Sequence, residues 1–183
     1  IGPDCIAVGN GSDEILKMLA EAFINPDDEV ILPYPTFSEY EFVGTVMGAK
    51  CIKVPLRNNT HDLKAMLEHV NPRTKVIVIC NPNNPTGTIV SGQALREFAK
   101  ELPQDVLLVV DEAYSEYVDH PDYESAQGIL GYRPQTMVLR TFSKLYGLAA
   151  LRLGYGISSP EIIQTLEKVR EPFNVNSLAQ YAG

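Results

Sequence analysis

Cysteine is scarce in this 183-residue chain, which contains only Cys5, Cys51 and Cys80. The three are odd in number, lie far apart and each fall in a short apolar run, so no disulfide framework is expected. No CxxC pair is present either, and no metal site is predicted. Such cysteines are typical of buried free thiols in a reducing compartment, so we expect a cytoplasmic location.

Basic runs and long apolar segments are also lacking. The chain has 15 Lys and Arg against 23 Asp and Glu, a formal net charge of -8, and its basic residues do not cluster. This balance disfavours nucleic acid or an anionic membrane as a partner and favours a small molecule. No apolar run approaches the ~20 residues that a membrane span needs.

The length and the 45% hydrophobic content favour one domain with a real core. No signal peptide, low-complexity linker or internal repeat is visible. The chain starts at Ile1 rather than Met and stops in "NSLAQYAG", which resembles the start of a helix. We therefore expect a fragment of a longer protein.

Seven short runs rich in Val, Ile and Leu are predicted to be strands. Most lack polar alternation, which is typical of strands buried on both faces of a parallel sheet. The runs cover residues 5 to 9, 29 to 33, 51 to 55, 75 to 80, 106 to 111, 136 to 140 and 153 to 158.

Helical patterns separate these runs, with apolar residues at i, i+3 or i+4 spacing. They cover residues 12 to 24, 37 to 48, 61 to 70 and 91 to 102. The alternation predicts a layered α/β fold. Only about a dozen residues join the last two runs, so the final strand can run antiparallel. In open α/β sheets, ligands bind beyond the carboxyl ends of the strands.

The first strand is followed by "GNGSDE", which opens a helix. The N-H groups of Gly11, Ser12 and Asp13 can cradle a phosphate there. The alternative is an ordinary helix start capped by Ser12 or Asn10. A dinucleotide site is less favoured, because the second strand ends in "LPYPTF" without the acidic residue that such sites need.

Two further loops offer groups to a ligand. "PYPTFSEY" can aim Tyr34 or Phe37 over the sheet edge, although an aromatic residue here is more often part of a core. "NPNNPTG" follows the fourth strand and requires an irregular, hydrogen-bonding loop whose asparagine amide can donate to a ligand oxygen. A plain turn is the alternative.

"VVDEAYSEY" places Asp111 at the end of the most hydrophobic strand. A buried carboxylate there needs a cation or hydrogen-bond donors, and a protonated ring nitrogen is a suitable partner. A helix N-cap is the alternative role. Tyr114, three residues later, can reach a neighbouring phenolic oxygen.

"TFSKLYGLAALR" places two cations in a small, apolar segment. Near a desolvated pocket, Lys144 is expected to act as an amine nucleophile toward an aldehyde, although a lone lysine is usually a surface residue. Arg152, with the hydroxyls of Thr141 and Ser143, suits a phosphate. Aldehyde, phosphate, pyridinium nitrogen and ring hydroxyl together describe pyridoxal 5'-phosphate (PLP).

These motifs, in this order, resemble those of the fold-type I PLP enzymes, and within them the class I and II aminotransferases. The stretches "GNGSDEIL", "PTFSEY", "NPNNPTG", "DEAY" and "SKLYGLAALRLGYG" are most similar to the histidinol-phosphate aminotransferases. The resemblance implies a three-layer α/β/α fold whose mostly parallel seven-stranded sheet has an antiparallel last strand. It also implies that residues 1 to 183 are the PLP-binding large domain.

The resemblance assigns a role to each motif residue. Lys144 is the catalytic lysine, bonds to the cofactor aldehyde and moves the substrate proton, while Asp111 holds the pyridinium nitrogen. The remaining cofactor contacts fall into three groups. They are Phe37 stacked on the ring, Asn84 and Tyr114 at the ring oxygen, and Gly11, Ser12, Asp13, Thr141, Ser143 and Arg152 at the phosphate.

The resemblance also implies a homodimer that transfers an amino group from L-histidinol phosphate to 2-oxoglutarate in histidine biosynthesis. The family's N-terminal arm, the tyrosine that its partner subunit supplies and its C-terminal domain have no counterpart in this chain. An aromatic-amino-acid aminotransferase, a PLP-dependent decarboxylase of the same fold, a non-catalytic PLP-sensing domain of a regulator and a plain nucleotide-binding domain are the alternatives.

Overall fold

The apolar runs form the strands of one sheet. A computed structural model describes all residues, 1 to 183, and every predicted strand is present within a few residues of its expected position. The strands are β1 Ile6–Gly9, β2 Glu29–Tyr34, β3 Lys50–Pro55, β4 Thr74–Cys80, β5 Leu107–Asp111, β6 Thr136–Thr141 and β7 Gly154–Ile157.

The strand order is β1-β7-β6-β5-β4-β2-β3. The neighbouring strands β3, β2, β4, β5 and β6 run parallel to one another, whereas β7 runs antiparallel to both of its neighbours, β6 and β1. The predicted mixed sheet with an antiparallel last strand is therefore confirmed.

Helices cover both faces of the sheet and confirm the three-layer α/β/α prediction. They are α1 Ser12–Phe23, α2 Glu39–Val46, α3 Leu63–Glu68, α4 Gly92–Glu101, α5 Pro160–Leu166 and α6 Ser177–Ala182. The first four match the predicted helical patterns, although α2 and α3 are shorter than expected. Helix α5 is absent from the sequence-based prediction, although Ser159 and Pro160 form an ordinary helix start.

Side-chain alternation along the strands divides the core between the two faces. In β4, Val76 and Val78 pack against the face that α1 and α5 cover, while Ile77 and Ile79 face α3 and α4. Burial on both faces explains why the strands read as continuous apolar runs.

The cysteines match their prediction in part. All three are free thiols, but only Cys80 is buried, whereas Cys5 and Cys51 are half-buried. Cys51 lies on β3 at the edge of the sheet, where neighbours cover it incompletely. None of the helices combines the length and the apolar character that crossing a membrane requires.

His61, just before α3, is buried, and neither of its ring nitrogens has a hydrogen-bond partner. Burial disfavours the charged ring and lowers the His61 pKa from 6.5 to about 4. Between pH 6.5 and about pH 4, His61 therefore binds a proton in the unfolded chain but not in the folded chain. We expect stability to fall as the pH drops through this window, with about 2 kcal/mol lost from this residue by pH 5.

Urea unfolding at pH 7 and pH 5 measures this loss. His61→Leu cannot take up a proton, so its two unfolding free energies should differ by about 2 kcal/mol less than those of the wild type. His120→Gln, at an exposed position, is the matched control and should keep the wild-type difference. An equal acid loss in His61→Leu and the wild type contradicts the assignment.

Candidate active site

The ends of six strands and the start of the seventh meet at one edge of the sheet. Strands β1 to β6 all finish there because they run in the same direction. β7 runs the other way, and its first residue, Gly154, pairs with both Gly9 and Thr141. Arg152, just before β7, therefore returns to the edge that Thr141 and Asp111 occupy.

A cavity of about 150 Å³ opens at this edge. All of the cofactor contacts named from the sequence line it except Gly11, which lies directly behind. Four further residues that the sequence did not single out also line it: Tyr40, Cys80, Ala113 and Ala149.

The first turn of α1 forms one wall of the cavity. Gly11 occupies the N-cap position with φ +79° and ψ 167°, and no side chain caps the helix. The alternative of a helix capped by Ser12 or Asn10 is therefore not what the structure has. An uncapped start of a 12-residue helix leaves N-H groups directed at the cavity, where an anion can bind.

Two glycines allow the chain to come close enough to build this wall. A Cβ on Gly11 would lie 2.5 Å from the Arg152 guanidinium, and a Cβ on Gly154 would lie 2.3 Å from the backbone nitrogen of Ser12. Real Cβ atoms essentially never approach other atoms so closely. Glycine at 154 is thus what lets β7 run against the start of α1.

Gly154→Ala should displace the start of α1 and weaken phosphate binding at the cavity. The clash is with backbone, so we expect a loss of roughly 1 to 3 kcal/mol in the free energy of unfolding. We also expect at least a tenfold rise in the Kd for inorganic phosphate, roughly one lost charge-assisted contact.

Thermal unfolding and phosphate titration measure the two effects. Gly128→Ala is the matched control, because a Cβ there meets nothing within 4 Å. Wild-type phosphate affinity in a folded Gly154→Ala chain contradicts the prediction.

Arg152 is the cation of this wall. Its Nη2 donates to Asp13 Oδ2 at 2.8 Å, and its Nη1 donates to the Ala149 carbonyl at 3.2 Å and to Ser143 Oγ at 3.4 Å. These contacts hold the guanidinium beside the start of α1. Thr141 Oγ1 accepts from the Ser143 N-H at 3.1 Å, which orders the same loop.

Asp111 is the buried anion of the site. Its Oδ2 accepts from the Tyr40 hydroxyl at 2.7 Å, and its Oδ1 accepts from the Ala113 N-H at 3.0 Å. The second bond is local, but Asp111 is not the helix N-cap considered from the sequence, because the next helical turn, Ser115–Tyr117, has Tyr114 at its N-cap. No salt bridge reaches Asp111, and burial raises its pKa, an effect that the Tyr40 hydrogen bond opposes.

The asparagines of "NPNNPTG" have different tasks. Asn81 exchanges two hydrogen bonds with the backbone of Val90. Asn83 is buried and bonds to Thr36, to the Pro35 carbonyl and to Thr86. These two hold the loop together, and only Asn84 faces the cavity.

Two aromatic residues border the cavity. Phe37 is half-buried and packs edge-on against Tyr40, with ring centroids 5.5 Å apart. Tyr114 is also half-buried and lines the opposite side. Tyr34, the other aromatic residue considered from the sequence, is exposed outside the cavity, where its ring lies 5.1 Å from Lys53 Nζ.

A buried ion pair between Glu112 and Arg140 holds the turn that carries Tyr114. Glu112 is fully buried, and its carboxylate contacts Arg140 Nη2 at 2.7 Å and accepts from the Ala126 N-H at 2.6 Å. Arg140 also contacts Glu116 at 3.1 Å. These bonds fix the chain on both sides of Tyr114.

Lys144 lies at the mouth of the cavity, and its Nζ is 5.3 Å from the centre of the Tyr114 ring. The sequence-based expectation of a desolvated lysine is wrong, because the side chain is exposed. The turn after β6 projects outward, and its apolar residues Leu145 and Tyr146 are also more than half exposed, so they do not cover the amine.

A larger groove of about 900 Å³ lies along β1 and β7, lined by Ile6, Val8, Phe142 and Tyr155 among others. It is mostly apolar, its only charged side chain is Arg170, and no carboxylate, lysine, cysteine or serine lines it. We therefore place the chemistry in the smaller cavity, which holds an anion-binding wall, a buried carboxylate and an amine.

The chain matches the family described as "Aminotransferase class I and II" over residues 2 to 183. It is 57% identical to a histidinol-phosphate aminotransferase of Moorella thermoacetica over 97% of the chain and 46% of that protein. It is 52% identical to one of Caldicellulosiruptor saccharolyticus over 100% of the chain and 51% of that protein.

A solved structure has the same fold. The histidinol-phosphate aminotransferase of Sinorhizobium meliloti in complex with pyridoxal-5'-phosphate superposes with a TM-score of 0.93 at 28% identity. The match covers 99% of the chain and 49% of that structure, so the chain spans about half the length of the relatives it matches. Because the family model matches residues 2 to 183 of the chain, the chain belongs to the class I and II aminotransferases.

Proposed function

We propose that residues 1 to 183 form the PLP-binding domain of an aminotransferase. The observation that carries the proposal is the meeting of Asp111, Lys144 and Arg152 around one cavity at the carboxyl edge of the sheet. The similarity to an aminotransferase solved with PLP supports the choice of cofactor.

The residues of the cavity fit PLP at each of its polar ends. The start of α1 and Arg152 suit the phosphate, because they combine free N-H groups with a forked cation. Asp111 suits the protonated ring nitrogen, because its buried carboxylate accepts two hydrogen bonds but forms no salt bridge in the chain. We assign Phe37 to the ring face and Asn84 and Tyr114 to the ring oxygen.

Bound PLP supplies an aldehyde that exchanges amines and a ring that accepts the electron pair released at a substrate α-carbon. Lys144 is the amine that would hold the cofactor aldehyde while no substrate is bound. When it is not so engaged, the Lys144 amine would take and return the proton at the substrate α-carbon. Asp111 would keep the ring nitrogen protonated, which would strengthen electron withdrawal.

We further propose that the reaction transfers the amino group of L-histidinol phosphate to 2-oxoglutarate. The products are imidazole acetol phosphate and L-glutamate, and the reaction belongs to histidine biosynthesis. The names of the relatives at 57% and 52% identity support this donor. Because the chain spans about half of those relatives, the reaction is proposed for the whole protein.

The remaining proposals concern assembly and location. We propose a homodimer, as the family resemblance implies, and the open mouth of the cavity at Lys144 leaves room for a second subunit. Three unpaired thiols fit a reducing, cytoplasmic location.

An amino-donor panel tests the function. The 183-residue chain and any longer natural protein that contains it are loaded with PLP and given L-histidinol phosphate, L-phenylalanine or L-tyrosine, with 2-oxoglutarate. We expect glutamate to form fastest from L-histidinol phosphate, with a kcat/KM at least tenfold above that of either aromatic donor.

A higher kcat/KM for an aromatic amino acid would replace the proposed donor but keep the enzyme class. PLP binding without glutamate formation from any donor, in the longer protein, would favour a non-catalytic PLP-sensing domain.

A further inference from the structure

Tyr40 is buried beside the proposed ring-nitrogen partner, and none of the assigned roles uses it. Only 1% of the residue is exposed, and its hydroxyl donates to Asp111 Oδ2 at 2.7 Å. The two residues are 71 positions apart, so this bond ties helix α2 to the end of strand β5. A buried hydroxyl and a buried carboxylate each cost folding free energy when they lack a hydrogen bond, so the bond between them stabilises both groups.

The bond affects what Asp111 can do. Asp111 has two donors in the chain, the Tyr40 hydroxyl and the Ala113 N-H, and no salt bridge. Donors on a carboxylate stabilise its ionised form, whereas burial favours the neutral acid. Without the Tyr40 hydroxyl, one backbone N-H would oppose the cost of burial.

The same side chain also contacts the aromatic wall. The Tyr40 ring meets the Phe37 ring edge-on, at an interplanar angle of 84°. Tyr40 therefore contacts both Phe37, which we assign to the ring face, and Asp111, which we assign to the ring nitrogen.

We propose that Tyr40 is a positioning residue that holds Asp111 ionised and oriented toward the ring nitrogen of the cofactor. This inference rests on the proposed PLP function. It gives Tyr40 no contact with the reacting atoms, because its effect passes through the Asp111 carboxylate.

Other ionisable groups near Asp111 also affect how the chain responds to pH. Cys80 lies beside it at the end of β4, and burial raises the pKa of that thiol to about 12, so Cys80 stays neutral. Asp13 on α1 raises the Asp111 pKa and Lys144 lowers it, both less than burial and Tyr40 change it. The Tyr40 hydroxyl lowers the Cys80 pKa, so its removal raises that pKa further and Cys80 stays neutral in Tyr40→Phe as well.

The test is the pH dependence of PLP affinity, measured by titrating the chain with PLP from pH 5 to pH 9. Tyr40→Phe keeps the ring and removes only the hydroxyl. Protonation of Asp111 removes the partner of the ring nitrogen, so affinity falls on the acid side. We expect the acid midpoint to rise by about one pH unit in Tyr40→Phe, a tenfold change in the protonation equilibrium.

Two further variants separate positioning from simple packing. Tyr123→Phe is the matched control, since it removes another partly buried hydroxyl, which donates to the Asn81 carbonyl at 3.3 Å, and it should leave the midpoint unchanged. In an Asp111→Asn background, Tyr40→Phe should no longer move the pH profile, because the group it acts through is gone.

Each outcome decides the proposal. An affinity that drops equally at every pH, or a midpoint that stays in place, assigns Tyr40 a packing role and overturns the inference. A wild-type chain that binds no PLP overturns the proposed function together with it. Should Tyr40→Phe fail to fold, 3-fluorotyrosine at position 40 provides the test. Its more acidic hydroxyl should lower the midpoint, and an unmoved midpoint overturns the inference.

Discussion

Lys144→Ala is expected to abolish covalent capture of PLP by this chain. Lys144 is the only lysine that lines the cavity, so no other amine replaces it. We expect the visible absorption band of the lysine-bound cofactor to be lost and borohydride to fix no PLP to the protein. In the whole protein, amino transfer should fall by roughly four orders of magnitude or more, because one residue supplies both the covalent link and the proton transfer.

The substitution should leave the fold intact, since the Lys144 side chain is exposed and forms no salt bridge. Lys168→Ala, at another exposed position outside the cavity, is the matched control and should keep the band and the borohydride reaction. Borohydride fixation that persists in Lys144→Ala would place the reactive amine elsewhere and contradict the site.

Asp111→Asn is expected to change activity and stability in opposite directions. An amide cannot balance a protonated ring nitrogen, so kcat in the whole protein should fall by roughly 10²- to 10³-fold. Without cofactor, the same change removes a buried charge that forms no salt bridge, so the free energy of unfolding at pH 8 should rise by about 1 kcal/mol.

The pH dependence of stability gives a second measurement of the same residue. Burial raises the Asp111 pKa in the folded chain, so the folded chain binds more protons than the unfolded chain above the ordinary aspartate pKa. This residue therefore makes the cofactor-free chain less stable as the pH rises through that window.

Urea unfolding from pH 4 to pH 8 should show that loss in the wild type and not in Asp111→Asn. Asp105→Asn, an exposed carboxylate outside the cavity, should behave as the wild type. A cofactor-free Asp111→Asn chain that is less stable than the wild type at pH 8 would mean that the carboxylate stabilises the fold.

The sheet could be predicted from the sequence because its strands are buried on both faces. Runs such as Thr74–Cys80 and Leu107–Asp111 are too continuous in Val, Ile and Leu to be surface strands. The strand order has no local signal, because β7 inserts between β1 and β6 through contacts across almost the whole chain. The sequence analysis therefore predicted seven strands and an antiparallel last strand, but no strand order.

The site was predictable where a residue follows a strand end, and not where its environment depends on distant residues. Asp111 is the last residue of β5 and Asn84 lies in the loop after β4, so their position at the edge is a matter of topology. Tyr40 received no role from the sequence, because the partner of its hydroxyl lies 71 positions away. The exposure of Lys144 depends on the direction of a turn, which the apolar residues around it did not indicate.

The position of β1 determines when the start of α1 and Arg152 can come together during synthesis. β1 pairs only with β7, with Ile6 opposite Ile157, so β1 has no partner in the sheet until β7, about 150 residues later, has been made. Closing so long a loop is slow compared with the local pairing of β2 to β6. The start of α1, which follows β1 closely, thus reaches Arg152 only after β7 has been made, and a chain that stops before β7 lacks the contact between Arg152 and Asp13.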